Sequence, residues 1–289
     1  MLLKSKFDTG KFAILTEMEP PKGTDVSEMV SNATRVKGMV DAFVVPEMSN
    51  AVMRMSALGG AMILQQKGME TVMQVCCRDR NRLALQADLL GASACGIRNI
   101  MAVTGEAPGF GDHHQAKAVY DIDLPELLQA IQSLQEGRDM AGVRLTGSPE
   151  FLVGSAINTG AKEEDMELEL EKMNKNIEAG VRFFITPPLF DIAAIEPFLK
   201  RADKGKAMII PTVLLLKSVG MARYIDRNMD HIYVPKPLIT RIQKAGDKVR
   251  ECLRVATEMI SALKKEGFGG VFISTIGWEN KLPELLEKI

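Results

Sequence analysis

Apolar residues recur along this chain as eight short runs, most of them ending in a polar, acidic or Gly/Pro-containing segment that opens a helical pattern. The runs are Phe12–Thr16, Ala42–Val45, Thr71–Cys76, Asn99–Thr104, Phe151–Ile157, Arg182–Thr186, Met208–Leu214 and Gly270–Thr275. Short, β-branched-rich runs of this kind are strands. Between them, Val26–Val36, Ala51–Gln66, Asn81–Ala94, Leu124–Leu134, Met166–Ile177, Ile192–Leu199 and Val249–Leu263 place apolar residues three and four apart, the spacing of one helix face. Asp25, Asp123 and Asp191 stand where these helices need an N-cap or a first-turn acid.

Eight strands alternating with helices predict an α/β fold, a (β/α)8 TIM barrel, whose chemistry sits where the strands end at the C-terminal face. The exits nominate Glu17 and Glu19, Glu47, Arg78, Gly105 and Glu106, Asn158, Pro187, Lys217, and Gly277 with Trp278. A chain of 289 residues accommodates one such barrel with room for loops, so residues 1–289 are read as a single domain. The two longest stretches outside the repeat, Ala107–Asp121 and Arg138–Glu150, are rich in Gly, Pro and charge, and loops of that length in a compact domain are usually functional.

Composition narrows the partners. With 46% hydrophobic and 25% charged residues and a mean hydropathy of +0.01, the chain can bury a large core. A formal net charge of −1 offers no basic field for nucleic acid or an anionic membrane, which leaves a small molecule as the expected substrate. No basic segment followed by an apolar stretch opens the chain and no run of about 20 apolar residues occurs, so neither a signal peptide nor a membrane span is expected. Four cysteines without a CxxC pair suit a reduced, cytoplasmic chain. Adjacent Cys76 and Cys77 should face opposite sides of strand three, as packing rather than as a reactive thiol. Three histidines without HxH or HExxH spacing argue against a metal site, and His113 and His114 read as exposed loop residues.

Three constellations carry candidate chemistry. In Thr16–Lys22 (TEMEPPK), Glu17 and Glu19 share a face if the strand continues, and a carboxylate desolvated at an apolar mouth can donate a proton near neutral pH. The competing reading is a salt-bridged rim acid. In Val103–Asp112 (VTGEAPGFGD), Gly105 lets the backbone turn sharply and approach a ligand, and Glu106 could act on a heteroaromatic ring, although the spacing is neither GxGxxG nor a phosphate loop. The cluster Arg78-Asp79-Arg80-Asn81-Arg82 leads into a helix and could hold phosphates, or be a solvated first turn with local ion pairs. Lys172 and Lys175 are equally compatible with a phosphate contact or an exposed face.

Taken together, TEMEPPKGTD (16–25), NAVMRMS (50–56), CRDRNRLALQADLLGA (77–92), GIRNIMAVTGE (96–106), GDHHQAKAVYDID (111–123), LLKSVGMAR (215–223) and IGWENKLPE (276–284) resemble the methylenetetrahydrofolate reductase family, especially the short form of acetogenic bacteria. The resemblance covers nearly the whole chain. It implies a barrel holding a flavin, FAD or FMN, at its C-terminal mouth, and reduction of 5,10-methylenetetrahydrofolate to 5-methyltetrahydrofolate. NAD(P)H or a partner protein would be the electron donor, and the chain would be an oligomer or a subunit of a complex. Glu17 falls on the family's general acid, Glu106 on the acid near flavin and pterin, and Thr104 and Gly105 on the flavin-contacting strand end. Arg78, Asp79, Arg80 and Asn81, with Asn158, Lys172 and Lys175, are the further cofactor candidates; Thr186 and Lys217 join Glu17 and Glu106 for the substrate. The chain departs from the family pattern in having Glu106 for an Asp, Val45-Pro46-Glu47 for a Thr-containing turn, and Thr186-Pro187-Pro188 where strand six would end in Thr-Gln, the Gln reaching the pterin. These departures leave a second function open, a folate- or flavin-binding paralogue acting in methyl or electron transfer.

Overall fold

The computed structural model describes residues 2–203 and 205–289. Eight parallel strands close into a barrel in sequence order: β1 (Ala13–Glu17), β2 (Ala42–Val45), β3 (Thr71–Cys76), β4 (Asn99–Val103), β5 (Leu152–Ala156), β6 (Val181–Pro188), β7 (Met208–Leu214) and β8 (Gly270–Ser274). All eight predicted strands are present. Leu15 lies beside Ala42 on one flank and Phe272 on the other, which sets the register of closure. Because side chains alternate along a strand, Leu15, Val44, Val72, Met101, Phe183, Ile210 and Phe272 meet in the lumen. Gly154 makes room there: a Cβ on it would lie 2.1 Å from the ring of Phe183.

Around the strands run α2 (Ser27–Arg35), α3 (Ala57–Gln66), α4 (Arg82–Ala94), α5 (Leu124–Gln135), α6 (Glu163–Glu178) and α7 (Glu196–Arg201), with α10 (Lys248–Lys265) before β8. Their apolar faces form the larger core with the outward side chains of the strands. Asp123 closes a reciprocal capping box with Glu126 and Asp191 caps the turn Ile192–Ala194, whereas Asp25 stands one residue before the N-cap Val26 and accepts from Ser27 N. The helix expected from Ala51 begins only at Ala57. Met48, Asn50 and Ala51 take positive φ, and Ser56 caps α3 by accepting from Gly59 N.

Four helices escape the periodicity: α1 (Leu2–Asp8), α8 (Val219–Asn228), α9 (Lys236–Lys244) and α11 (Leu282–Leu286). The first closes the N-terminal end of the barrel, with Leu3 fully buried and Phe7 packed 5.7 Å from the Phe183 ring. Lys6 ties it to Asp41 at 2.7 Å. The pair α8 and α9 builds a separate apolar cluster with Phe190, Leu214 and Leu216 beside the β6 and β7 exits. No helix among the described residues is long and apolar enough to cross a membrane. One expectation is corrected by topology: Arg138–Glu150 connects α5 to β5, so it lies at the N-terminal face, away from the mouth. It is a folded turn there, with Asp139 N bonded to Val143 O and Met140 N to Gln86.

Candidate active site at the C-terminal mouth

Lumen-facing positions near the strand exits are Glu17, Gln74, Val103, Ala156 and Ser274, with Pro188 beside Thr212 past the β6 bulge, and together they rim an open bowl. Ala156 is exposed and Phe272, a full side-chain layer below Ser274, is still half-buried, so the mouth is not filled by protein side chains. Its accessible floor of Val103, Ala156 and Phe272 is apolar.

Glu17 ends β1 on the lumen face. Its Oε2 accepts from Ser274 Oγ at 3.0 Å, Thr275 N at 3.0 Å and Ile276 N at 3.2 Å, all from the β8 exit. Oε1 has no partner among the described residues. Glu19 does not share this setting, because the strand stops at Glu17 and the chain turns through buried Met18. Glu19 instead pairs with Arg54 at 2.9 Å in a side cleft with Asn32, Glu28 and Glu279. Burial pushes the Glu19 carboxyl above its usual range, opposed by Arg54 and reinforced by Glu17 and Glu279. The rim-acid reading thus fits Glu19 and the mouth acid is Glu17.

At the β2–β4 exits the basic cluster is consumed by the protein. Arg78 is buried, its Nε and one terminal nitrogen each 2.7 Å from the two Asp79 oxygens. The remaining N–H groups reach the carbonyls of Glu47, Met48 and Glu106, and the Glu106 carboxylate at 3.6 Å. Arg80 bridges Glu47 and Asp88, Asn81 caps α4 by accepting from Ala84 N, and Arg82 pairs with Asp121. Glu47 also accepts from Ala57 N at the start of α3; burial raises its carboxyl above the usual range against the pull of Arg80. Most donors of Arg78 and Arg80, expected to hold a phosphate with Asp79 and Asn81, are thus taken by protein acceptors, and the cluster ties strand ends together.

Beside it, Thr104 and Glu106 are exposed and Gly105 takes φ +87°, where a Cβ would come within 2.3 Å of Cys76 Sγ. Close backbone approach is thus to the protein's own thiol. Cys76 Sγ lies 3.4 Å from Thr104 O, while Cys77 faces the outer core, as the alternation requires. Tyr120 OH donates to Gly105 O, folding the 107–121 loop back over the rim. A latch holds that loop: Asp112 bonds Lys22, Met53 N and His113. The Lys22 ammonium, with the Met53 N–H and His113, holds the Asp112 carboxyl well below the usual range.

On the far side of the bowl, Asn158 Oδ1 accepts from Gly160 N, shaping the β5 exit. Thr186, nominated for substrate, is buried and structural: its hydroxyl donates to Pro187 O at 2.7 Å and accepts from Thr212 N at 3.2 Å. The cause is the Pro-Pro pair, which bulges β6 out of register between Ile185 and Pro188 and leaves the Thr212 N–H to a side chain. Lys172 stands mid-helix on α6, held by Glu169 at 2.7 Å, and Lys175 lies in the last turn next to the N-terminal end of β6. Neither reaches the mouth, because α6 runs back from it. Lys217, half-buried, places its ammonium 6.0 Å from the Trp278 ring centroid beside the β8 exit. The site residue not anticipated is Ser274, whose only sequence signal is a serine on the lumen parity at the end of an apolar strand.

Comparison with known proteins places this geometry. The sequence model of the methylenetetrahydrofolate reductase family matches residues 2–289. A curated relative, methylenetetrahydrofolate reductase 2 of Schizosaccharomyces pombe (strain 972 / ATCC 24843), is 25% identical over 276 residues; the match takes in 91% of this chain and 42% of that protein, so the chain spans less than half the length of this relative. Among solved structures, EDTA monooxygenase from Chelativorans sp. BNC1 shares the fold with a TM-score of 0.57 at 11% identity, covering 96% of this chain and 92% of that one.

Proposed function

The chain belongs to the methylenetetrahydrofolate reductase family, a family of oxidoreductases, and we propose that it reduces 5,10-methylenetetrahydrofolate to 5-methyltetrahydrofolate with a flavin, FAD or FMN, in the mouth of the barrel. The observation that carries this reading is Glu17, on the lumen face of β1 at an open bowl: one carboxylate oxygen is fixed by three donors and the other has no partner among the described residues.

The residues present suit the ring of the cofactor better than, at the expected place, its phosphate. An apolar floor of Val103, Ala156 and Phe272 suits a planar ring, with Thr104 and Glu106 at one edge and Lys217 across from them. Many donors of the Arg78–Arg82 cluster are already paired with protein carboxylates. When bound, the reduced flavin would supply the hydride that reaches the methylene carbon of the substrate. The chain's own part is acid and electrostatic. In this reading Glu17 delivers a proton through Oε1 to the amine nitrogen that leaves as the five-membered ring opens, a step general acids accelerate by about 10²–10⁴-fold. Glu106, exposed and 3.6 Å from Arg78, would lie against the pterin or the flavin edge. Lys217, beside Trp278, supplies positive charge on the same side as Glu17. NAD(P)H or a partner protein would reduce the flavin, with the chain acting in the cytoplasm as an oligomer or complex subunit.

Anaerobic spectroscopy tests the proposal. The purified protein should show flavin absorbance, bleach on reduction and recover on addition of methylenetetrahydrofolate. The Thr186-Pro187-Pro188 exit favours a second reading, a folate- or flavin-binding paralogue in methyl or electron transfer, because no amide stands where pterin recognition would need one. A colourless protein that binds tetrahydrofolates would support it.

A further inference from the structure

Three donors on Glu17 Oε2 come from one three-residue segment, Ser274 to Ile276, and two of them are consecutive backbone N–H groups. For both to converge on one oxygen the chain must turn sharply. That turn is made by the backbone of Thr275, and directly beyond it Ile276 sits at φ +45°, the left-handed region that a β-branched residue avoids because its Cβ crowds the backbone. Burial of the side chain does not impose this conformation, since Ile276 is 47% exposed. Strain of this kind persists where the surroundings over-determine it, and it collects at functional sites. The turn is pinned from behind: buried Thr275 donates through its hydroxyl to Glu279 Oε1 at 2.8 Å, and Trp278 N bonds Thr275 O at 3.1 Å.

We propose that Ser274–Ile276 is a strained cradle that fixes Glu17 Oε2 and thereby presents Oε1, alone, to the substrate. Ser274 and Ile276 are positioning residues acting through Glu17. The inference rests on the reading of Glu17 as the proton donor. It also explains the placement of a polar side chain at the end of an otherwise apolar strand.

Two independent readouts test it. The first is thermal unfolding and needs no turnover. Ser274→Ala should lower the melting temperature by about 2–3 °C, the effect of one lost hydrogen bond in a chain of this size. In the Glu17→Ala background the same change should have no effect, because the acceptor is gone. Ile276→Gly should raise the melting temperature by about 2 °C as the strain is released. Equal Ser274→Ala effects in both backgrounds, or no gain from Ile276→Gly, would overturn the cradle whatever the reaction.

The second readout is methylenetetrahydrofolate turnover. Ser274→Ala should lower kcat by about three- to tenfold with KM unchanged, and Ser274→Thr, which returns the hydroxyl, should recover to within about twofold. Ile276→Gly should be more stable yet slower, a combination that a merely structural turn would not produce. Ser274→Thr as slow as Ser274→Ala, or a change in KM alone, would overturn the positioning role. If the unaltered protein turns over no folate, the reductase reading fails, and the unfolding experiment still decides whether the cradle exists.

Discussion

A carboxylic acid that must release a proton at one place works best with one oxygen held and the other free, and Glu17 has that arrangement. Glu17→Gln keeps the shape: its amide oxygen can take the cradle while the amide nitrogen occupies the Oε1 position and cannot release a proton. Stopped-flow reoxidation of reduced flavin by methylenetetrahydrofolate should slow by about two to four orders of magnitude with flavin content unchanged. An unaltered rate would move the role elsewhere on the rim. The thiols give a second test at this scale. Burial pushes Cys76 up to about 11, Cys77 to about 12 and Cys252 to about 11, so at pH 8 all three stay protonated and inert, whereas Cys95 is exposed. A disulfide reagent should titrate one thiol rapidly in the native protein and four after denaturation. Two fast thiols would mean the β3 exit is open to solvent.

Elements were legible where one periodicity dominated. The strands stood out because a barrel strand is buried on both faces and reads as an unbroken apolar run. The helices α2, α4, α5, α6 and α10 showed because a single stripe faces the wall. By contrast α1 is seven residues long and contributes Leu3 and Phe7 to the lumen floor, too short a stripe to register. Leu3→Ala should therefore cost about 2–4 kcal/mol in urea unfolding, as a cavity beneath the barrel opens; a loss near zero would mean the plug is frayed. The helices α8 and α9 pack on each other and on the β6 and β7 exits rather than on the wall, so their pattern belongs to a separate core. The pairing within the Arg78 cluster was hidden for a different reason. Composition shows four charged residues among the five of 78–82, and cannot show that Glu47, Asp88 and Asp121, distant in sequence, arrive to pair with them. Arg78→Lys replaces five fixed donors with three and leaves carbonyls of two strand exits unpaired, at a cost of about 2–3 kcal/mol. Denaturation against flavin content separates the roles: stability should fall first, whereas loss of flavin at unchanged stability would restore the phosphate role.

For the whole molecule, the order of the strands fixed which residues meet at the mouth, and that much was readable: Glu17, Gly105, Glu106 and Lys217 all border it. What the order could not convey is which polar groups are already spent on the protein, as Thr186 is at the β6 bulge. That bulge is the place where substrate choice hangs. The register shift hands the lumen position beside Thr212 to Pro188, and Pro187 lies within the bulge, half-buried at the rim. A glutamine there would offer a carboxamide to a pterin edge and return one N–H to the bulge. With proline in its place, recognition rests on Glu106 and neighbours such as Asn158, and folate affinity should be weak. Pro187→Gln should tighten folate binding several-fold, about 1 kcal/mol for one regained hydrogen bond in a partly buried site, measured by titration of the flavin spectrum. Tight binding by the unaltered protein, unchanged in Pro187→Gln, would show that the Pro-Pro exit is a different backbone route to the same substrate. Binding by neither form would leave the barrel without folate and turn the assignment to the paralogue, whose ligand would then have to suit a mouth floored by Val103, Ala156 and Phe272.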